Sequence, residues 1–197
     1  MRPLRIGRLL IHPAFAFTLF CFFLAENSVY SLAVLFCAAV HELGHLAAIY
    51  TLGSSVAELS LLPFGAQITL SREVSYKKEA IIAASGPIFG ALFSAFLFPL
   101  STFLRSELLF FCAVCSLWLS AINILPARGF DGARILKCAL LQNFPYEKAL
   151  TLIKSSELVS LVLLTLCVCA TLVFSSCNLS LCAICIYLLF SASGCDY

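Results

Sequence analysis

Long apolar runs separated by short polar joints dominate the chain. Six segments, about 10–25, 29–52, 80–104, 108–125, 158–176 and 179–193, are each long and apolar enough, or nearly so, to span roughly 30 Å of hydrocarbon. A helix satisfies its own backbone within one segment, so such runs predict helices. The expected architecture is an all-α polytopic membrane protein of about six transmembrane helices, folded as a single membrane-embedded domain over residues 1–197 with no appended soluble domain. Residues 1–25 share features with a signal peptide, because Arg2, Arg5 and Arg8 precede an apolar core. His12-Pro13 interrupts the start of that core and Leu24-Ala25-Glu26 is a poor cleavage site, so the segment reads as a retained first span.

Two connections are longer than turns. Residues 53–79 hold Val56-Ala57-Glu58-Leu59-Ser60-Leu61-Leu62, a turn signal at Pro63-Phe64-Gly65, and Ala66-Gln67-Ile68-Thr69-Leu70. This order predicts a short membrane-associated β-hairpin. Open strand edges are not tolerated against lipid, so the hairpin is expected to be buried in protein or to line a wet cavity, where it could hold an extended peptide by strand addition. An ordinary structured loop is the alternative. Residues 126–157 intersperse Arg134, Lys137, Lys148 and Lys154 with Ile135, Leu136, Leu140, Leu150 and Ile153, the spacing of amphipathic helices lying in the interface.

Composition agrees with the pattern: 62% of residues are hydrophobic, 11% are charged, and the mean hydropathy is +1.05. A net charge of +2 without any basic run excludes a nucleic-acid surface. What matters is where the cations fall. With the amino terminus cytoplasmic, six spans place every Lys and Arg except Arg105 on the cytoplasmic side, eleven of the 12, as the positive-inside rule requires. Both termini are then cytoplasmic. Most of the 11 cysteines lie inside apolar stretches, where a free thiol behaves as a small hydrophobe rather than as part of a disulfide framework. Cys112-x-x-Cys115 and Cys182-x-x-Cys185 have metal-ligand spacing, but each stands in a spanning segment without a second pair nearby.

Chemistry enters at His41-Glu42-Leu43-Gly44-His45, in the middle of the second apolar run. On a helix His41 and His45 lie one turn apart on one face and can reach one metal ion, while Glu42 beside them can hold a water. A charged or metal-binding group at membrane depth costs roughly 2.5–3.5 kcal/mol, which marks it as functional. A catalytic zinc takes three protein ligands and keeps one position open, so the pair calls for another donor. Asp131 is the candidate: it follows Asn123-Ile124-Leu125-Pro126-Ala127-Arg128-Gly129-Phe130, where Pro126 and Gly129 break the fourth span and let the backbone turn back. A helix cap is the alternative role for Asp131.

His41-Glu42-Leu43-Gly44-His45, with Asn123-x-x-Pro126-x-x-x-x-Asp131-Gly132 farther on, resembles the site-2 protease family of intramembrane zinc metallopeptidases. Arg8-Leu9-Leu10-Ile11-His12-Pro13, Leu62-Pro63-Phe64-Gly65 and Ala84-Ser85-Gly86-Pro87 resemble the compact six-span branch that includes the sporulation stage IV FB proteases. The resemblance implies one zinc held by His41, His45 and Asp131, with Glu42 as catalytic acid/base. It also implies site support or substrate binding by Asn123, Phe64 and Gly65. Gly90 stands where many members have Asn, so a polar role there is absent and Gly86-x-x-x-Gly90 instead allows close helix packing. His12 sits in a family-like element, and a helix-start hydrogen bond is its expected role.

The expected activity is hydrolysis of a peptide bond in or near a transmembrane segment of a membrane protein substrate, as in regulated intramembrane proteolysis. The bilayer and regulatory membrane proteins are the expected partners, in a bacterial cell membrane or a forespore-surrounding membrane. A metal-binding or cation-transport membrane protein and a catalytically inactive relative are the alternatives. Reporters fused after Ser28 and after Ser106 are expected to read as non-cytoplasmic. A cytoplasmic signal at either position contradicts six spans with both ends inside.

Overall fold

The computed structural model describes residues 4–6, 9–13, 15–17, 19–20, 29–62 and 65–174. The expected first span lies partly, and the expected sixth span entirely, outside the described residues. Two compact units divide the chain, residues 1–121 and 122–197.

In the first unit, Val29–Thr51 forms α1, 23 residues, about 35 Å at 1.5 Å per residue. Tyr76–Leu104 forms α2 and Glu107–Asn123 begins as α3 within the same unit. By length and apolarity α1, α2 and the Tyr146–Leu166 stretch can each cross a membrane, whereas α3 is shorter, at 17 residues. The helices are apolar outside and small or polar inside. Leu32, Phe36, Leu43 and Tyr50 are exposed on α1, and Ile88, Leu92, Phe96 and Phe103 on α2. The buried positions are mostly small or polar: Ser31, Ala33, Cys37, His41, Gly44 and His45 beside Val40 and Ile49 on α1, and Ala83, Gly86, Gly90, Ser94 and Ser101 beside Ile82, Pro87 and Leu97 on α2. Water would drive the reverse arrangement. In lipid, association rests on close packing and interhelical hydrogen bonds, which favour small residues at the contact.

Two glycines show how close that contact is. A Cβ on Gly44 would stand 2.6 Å from the Phe89 Cβ and 2.7 Å from the Ser85 carbonyl oxygen, and one on Gly90 would collide with the Ser120 hydroxyl. The hydroxyls at these crossings donate to backbone: Ser94 Oγ to the Ala113 carbonyl at 2.7 Å and Ser116 Oγ to the Gly90 carbonyl at 2.9 Å. Gly90 is thus a packing position.

A small sheet joins the ends of α1 and α2. Leu4–Ile6 (β1), Leu9–Ile11 (β2), Val56–Leu62 (β3) and Gly65–Leu70 (β4) run in the order β1-β2-β3-β4. β1 pairs β2 antiparallel, β2 pairs β3 in parallel with Leu10 opposite Ser60, and β3 pairs β4 antiparallel with Leu59 opposite Ile68. The expected hairpin is present. Leu10 and Ile11, expected to open the first span, are instead part of β2, because the β3 backbone offers them hydrogen-bond partners that their apolarity alone does not reveal. Ile49, Val56 and Ile82 form one buried cluster with Ile68 and Leu70 packed on it, seating the sheet against the helix ends. The chain leaves α1 through Gly53 at φ +71, with the Ser54 N–H on the Ile49 carbonyl at 2.9 Å and Lys78 Nζ on the Leu52 carbonyl at 3.2 Å.

In the second unit, Asp131–Asn143 forms α4 and Tyr146–Phe174 forms α5. α5 corrects one expectation: residues 146–157 are not a separate helix but the first turns of the helix that carries the span expected from 158. No Pro or Gly interrupts Tyr146–Phe174, so nothing stops the helix at the change from amphipathic to apolar sequence.

Gly44→Leu is expected to destabilise the α1–α2 contact by about 1–3 kcal/mol or more, since the nearest atoms are backbone and Cβ rather than flexible tips. Thermal unfolding in detergent checks this, and an unchanged melting temperature contradicts the packing.

Candidate metal centre

His41 and His45 lie on the buried face of α1, each 4% exposed. They sit about 15 Å and 9 Å below its carboxyl-terminal end at 1.5 Å per residue. Their Nε2 atoms are 3.3 Å apart and the rings are inclined at 77°. Two nitrogens bound tetrahedrally at about 2.0–2.1 Å from zinc stand about 3.3–3.4 Å from each other. The pair therefore matches the bite that zinc requires.

The tautomer of His45 follows from its second nitrogen. Nδ1 lies 2.8 Å from the Ile82 carbonyl oxygen, which can only accept, so Nδ1 carries the proton and Nε2 keeps its lone pair for a ligand. Ser85 Oγ donates to that same carbonyl at 2.6 Å. The ring passes over Gly86 so closely that a Cβ there would collide with His45 Nε2. Any side chain at residue 86 would push the imidazole off its aim. Sequence reasoning attached Gly86 to helix packing and missed this second role. The available signal was the pairing of Ser85-Gly86-Pro87 with a metal-binding helix.

Glu42 is half-buried on α1. At 100° per residue it stands 60° from His45 around the helix, on the flank of the imidazole pair. A carboxylate so placed can take a proton beside a ligand bound to the histidines.

In the second unit, α3 ends at Asn123, which is half-buried. The Leu125 N–H bonds the Ile122 carbonyl at 3.0 Å, the Phe130 N–H bonds the Ala127 carbonyl at 3.1 Å, and Gly129 adopts φ +90. This turn delivers Asp131 as the first residue of α4, after Phe130 in the cap position. Gly132 follows because a Cβ there would collide with the Ile124 carbonyl. Asp131 is 8% exposed, with Arg134 Nη1 3.8 Å from Oδ1. Its carboxylate meets the favourable end of the α4 dipole.

Gly65 opens β4, opposite Leu62, and Phe64 lies outside the described residues. The His12 carbonyl accepts the Phe15 N–H at 2.9 Å and its N–H bonds the Leu61 carbonyl at 3.1 Å, backbone bonds that do not depend on the imidazole.

An apolar helix carrying His-Glu-x-x-His with the imidazoles aimed at one point is the zinc-binding element of metallopeptidases. Residues 29–107 match the profile of Peptidase family M50. A zinc metalloprotease from Methanocaldococcus jannaschii is 28% identical over 115 residues, 56% of this chain. That match spans 34% of the relative, about a third of its length. The solved site-2 protease from the same organism superposes with a TM-score of 0.70 at 23% identity, over 98% of this chain and 93% of that one. The fold is that of a site-2 protease.

Gly86→Ala is expected to lower the zinc retained by the purified protein several-fold while far-ultraviolet circular dichroism stays helical. Undiminished zinc contradicts the seating of His45 over Gly86.

Proposed function

We propose that this chain is an intramembrane zinc metallopeptidase that cuts a peptide bond in or beside a membrane-spanning segment of a protein substrate. The observation that carries the proposal is the His41–His45 pair: two Nε2 atoms at the separation zinc requires, one with its tautomer fixed by a backbone carbonyl, on a helix whose outer face is apolar. Asp131 is the third ligand. All three donors are buried, and two imidazoles with one carboxylate suit zinc with a position left open.

Bound zinc supplies Lewis acidity, lowering the pKa of water toward about 7. Glu42 accepts the water proton and returns it to the leaving amine. His45, held by the Ile82 carbonyl, keeps the ligand geometry from relaxing. Asn123 orients the substrate backbone. Phe64 and Gly65 support the site or bind substrate, and an unwound substrate adds as a further strand to β4, an outer strand of the sheet that Gly65 opens. Unwinding is required because helical carbonyls are already hydrogen-bonded and shielded. The substrate is a membrane protein, and cleavage belongs to regulated proteolysis of the kind found in the compact sporulation branch. Both termini face the cytoplasm.

Cation transport would call for free polar groups at several depths. Ser94, Ser116 and Ser120 lie at other depths, but their hydroxyls donate to the carbonyls of Ala113, Gly90 and Ser116. That use favours hydrolysis over a cation path.

Co-expression with single-pass substrates tests the proposal. Glu42→Gln is expected to reduce cleavage by about 10²-fold or more with zinc retained, and unchanged cleavage removes Glu42 from the mechanism. Asp131→Ala is expected to bring zinc well below the wild-type stoichiometry. An undiminished content points to another third ligand.

A further inference from the structure

Within the second unit, the turn after α3 and the flank of α5 enclose a cavity of about 350 Å³. Its wall is graded. Arg128, Lys154 and Glu157 line one end, and Leu158, Leu161 and Leu164 continue along α5. The charged end holds two cations against one carboxylate, a surplus of one positive charge. From Lys154 to Leu164 the helix advances ten residues, about 15 Å, or roughly half the hydrocarbon thickness of a bilayer. Next to this column Val159, Val162, Leu163 and Leu166 are exposed, so the surrounding face of α5 is apolar.

We propose that this cavity binds one anionic phospholipid, its phosphate between Arg128 and Lys154 and an acyl chain along Leu158, Leu161 and Leu164. The charge surplus selects an acidic headgroup over a zwitterionic one, as basic pockets at the ends of spanning helices do. Two cations at one end of an apolar column match a lipid, whose phosphate and acyl chain are divided in the same way, whereas a spanning helix offers no phosphate to the cations. Glu157 limits the site to a small headgroup, since a second phosphate would meet its carboxylate. The inference is independent of the proteolytic reading and concerns residues outside the metal centre.

Native mass spectrometry of the full chain released from detergent, with phosphatidylglycerol and phosphatidylcholine at equal concentration, tests it. Phosphatidylglycerol is expected to be retained about tenfold over phosphatidylcholine. Arg128→Gln with Lys154→Gln should bring the two to parity, and Glu157→Gln should raise phosphatidylglycerol retention, a gain that misfolding cannot produce. Equal retention by the wild type, or a preference that survives loss of both cations, overturns the proposal. So does displacement of the lipid by glycerol 3-phosphate alone, which would make the site one for free phosphate. A photo-crosslinker in place of Leu161 should label lipid, and labelling of residues 179–193 instead would identify a segment of the chain as the occupant and sink the lipid assignment.

Discussion

The aim of one imidazole depends on a backbone carbonyl. His45 Nδ1 donates to the Ile82 carbonyl at 2.8 Å, and this fixes which nitrogen keeps its lone pair and where that lone pair points. For the bond to form, α1 and α2 must come together until no side chain separates them, and Gly44 and Gly86 are the residues that permit it. A Cβ at either position would meet backbone or the ring itself. The HExxH helix thus carries the imidazoles, while α2 supplies the geometry.

This contact also accounts for the distribution of residue types. Large apolar side chains occupy the outer faces of α1 and α2, where lipid solvates them as well as a protein core would. The buried faces are rich in Ala, Gly, Ser and Cys, which bring backbones close and let serine hydroxyls donate to carbonyls of the neighbouring helix. In such an interior two histidines are costly unless their nitrogens have partners. Ile82 satisfies one nitrogen of His45, and a metal ion bound between the Nε2 atoms would satisfy that pair. The sheet packs at the same end of the helices through Ile49, Val56 and Ile82, bringing an extended edge to the side of the bundle nearest the histidines.

Periodicity and composition were enough to read α1, α2 and α3 within a few residues, because an apolar run of spanning length has few other folded forms. The hairpin was readable from its turn signal and alternating Gln67-Ile68-Thr69. The one-turn spacing of His41 and His45 was readable from helix geometry alone. Leu10 and Ile11 were misassigned because strand pairing is decided by a partner 50 residues away rather than by local sequence. The start of α5 was misplaced because a helix need not end where its polarity changes. Ile82 could not be found at all, since a carbonyl exists at every position and only the fold selects one.

X-ray absorption at the zinc edge of the purified, metal-loaded protein probes the central claim most directly. Ligation by His41 and His45 predicts imidazole scattering with Zn–N distances of about 2.0–2.1 Å and no sulfur shell. A sulfur shell near about 2.3 Å, from cysteines such as Cys37 one turn away on α1, or a spectrum without imidazole, would contradict it.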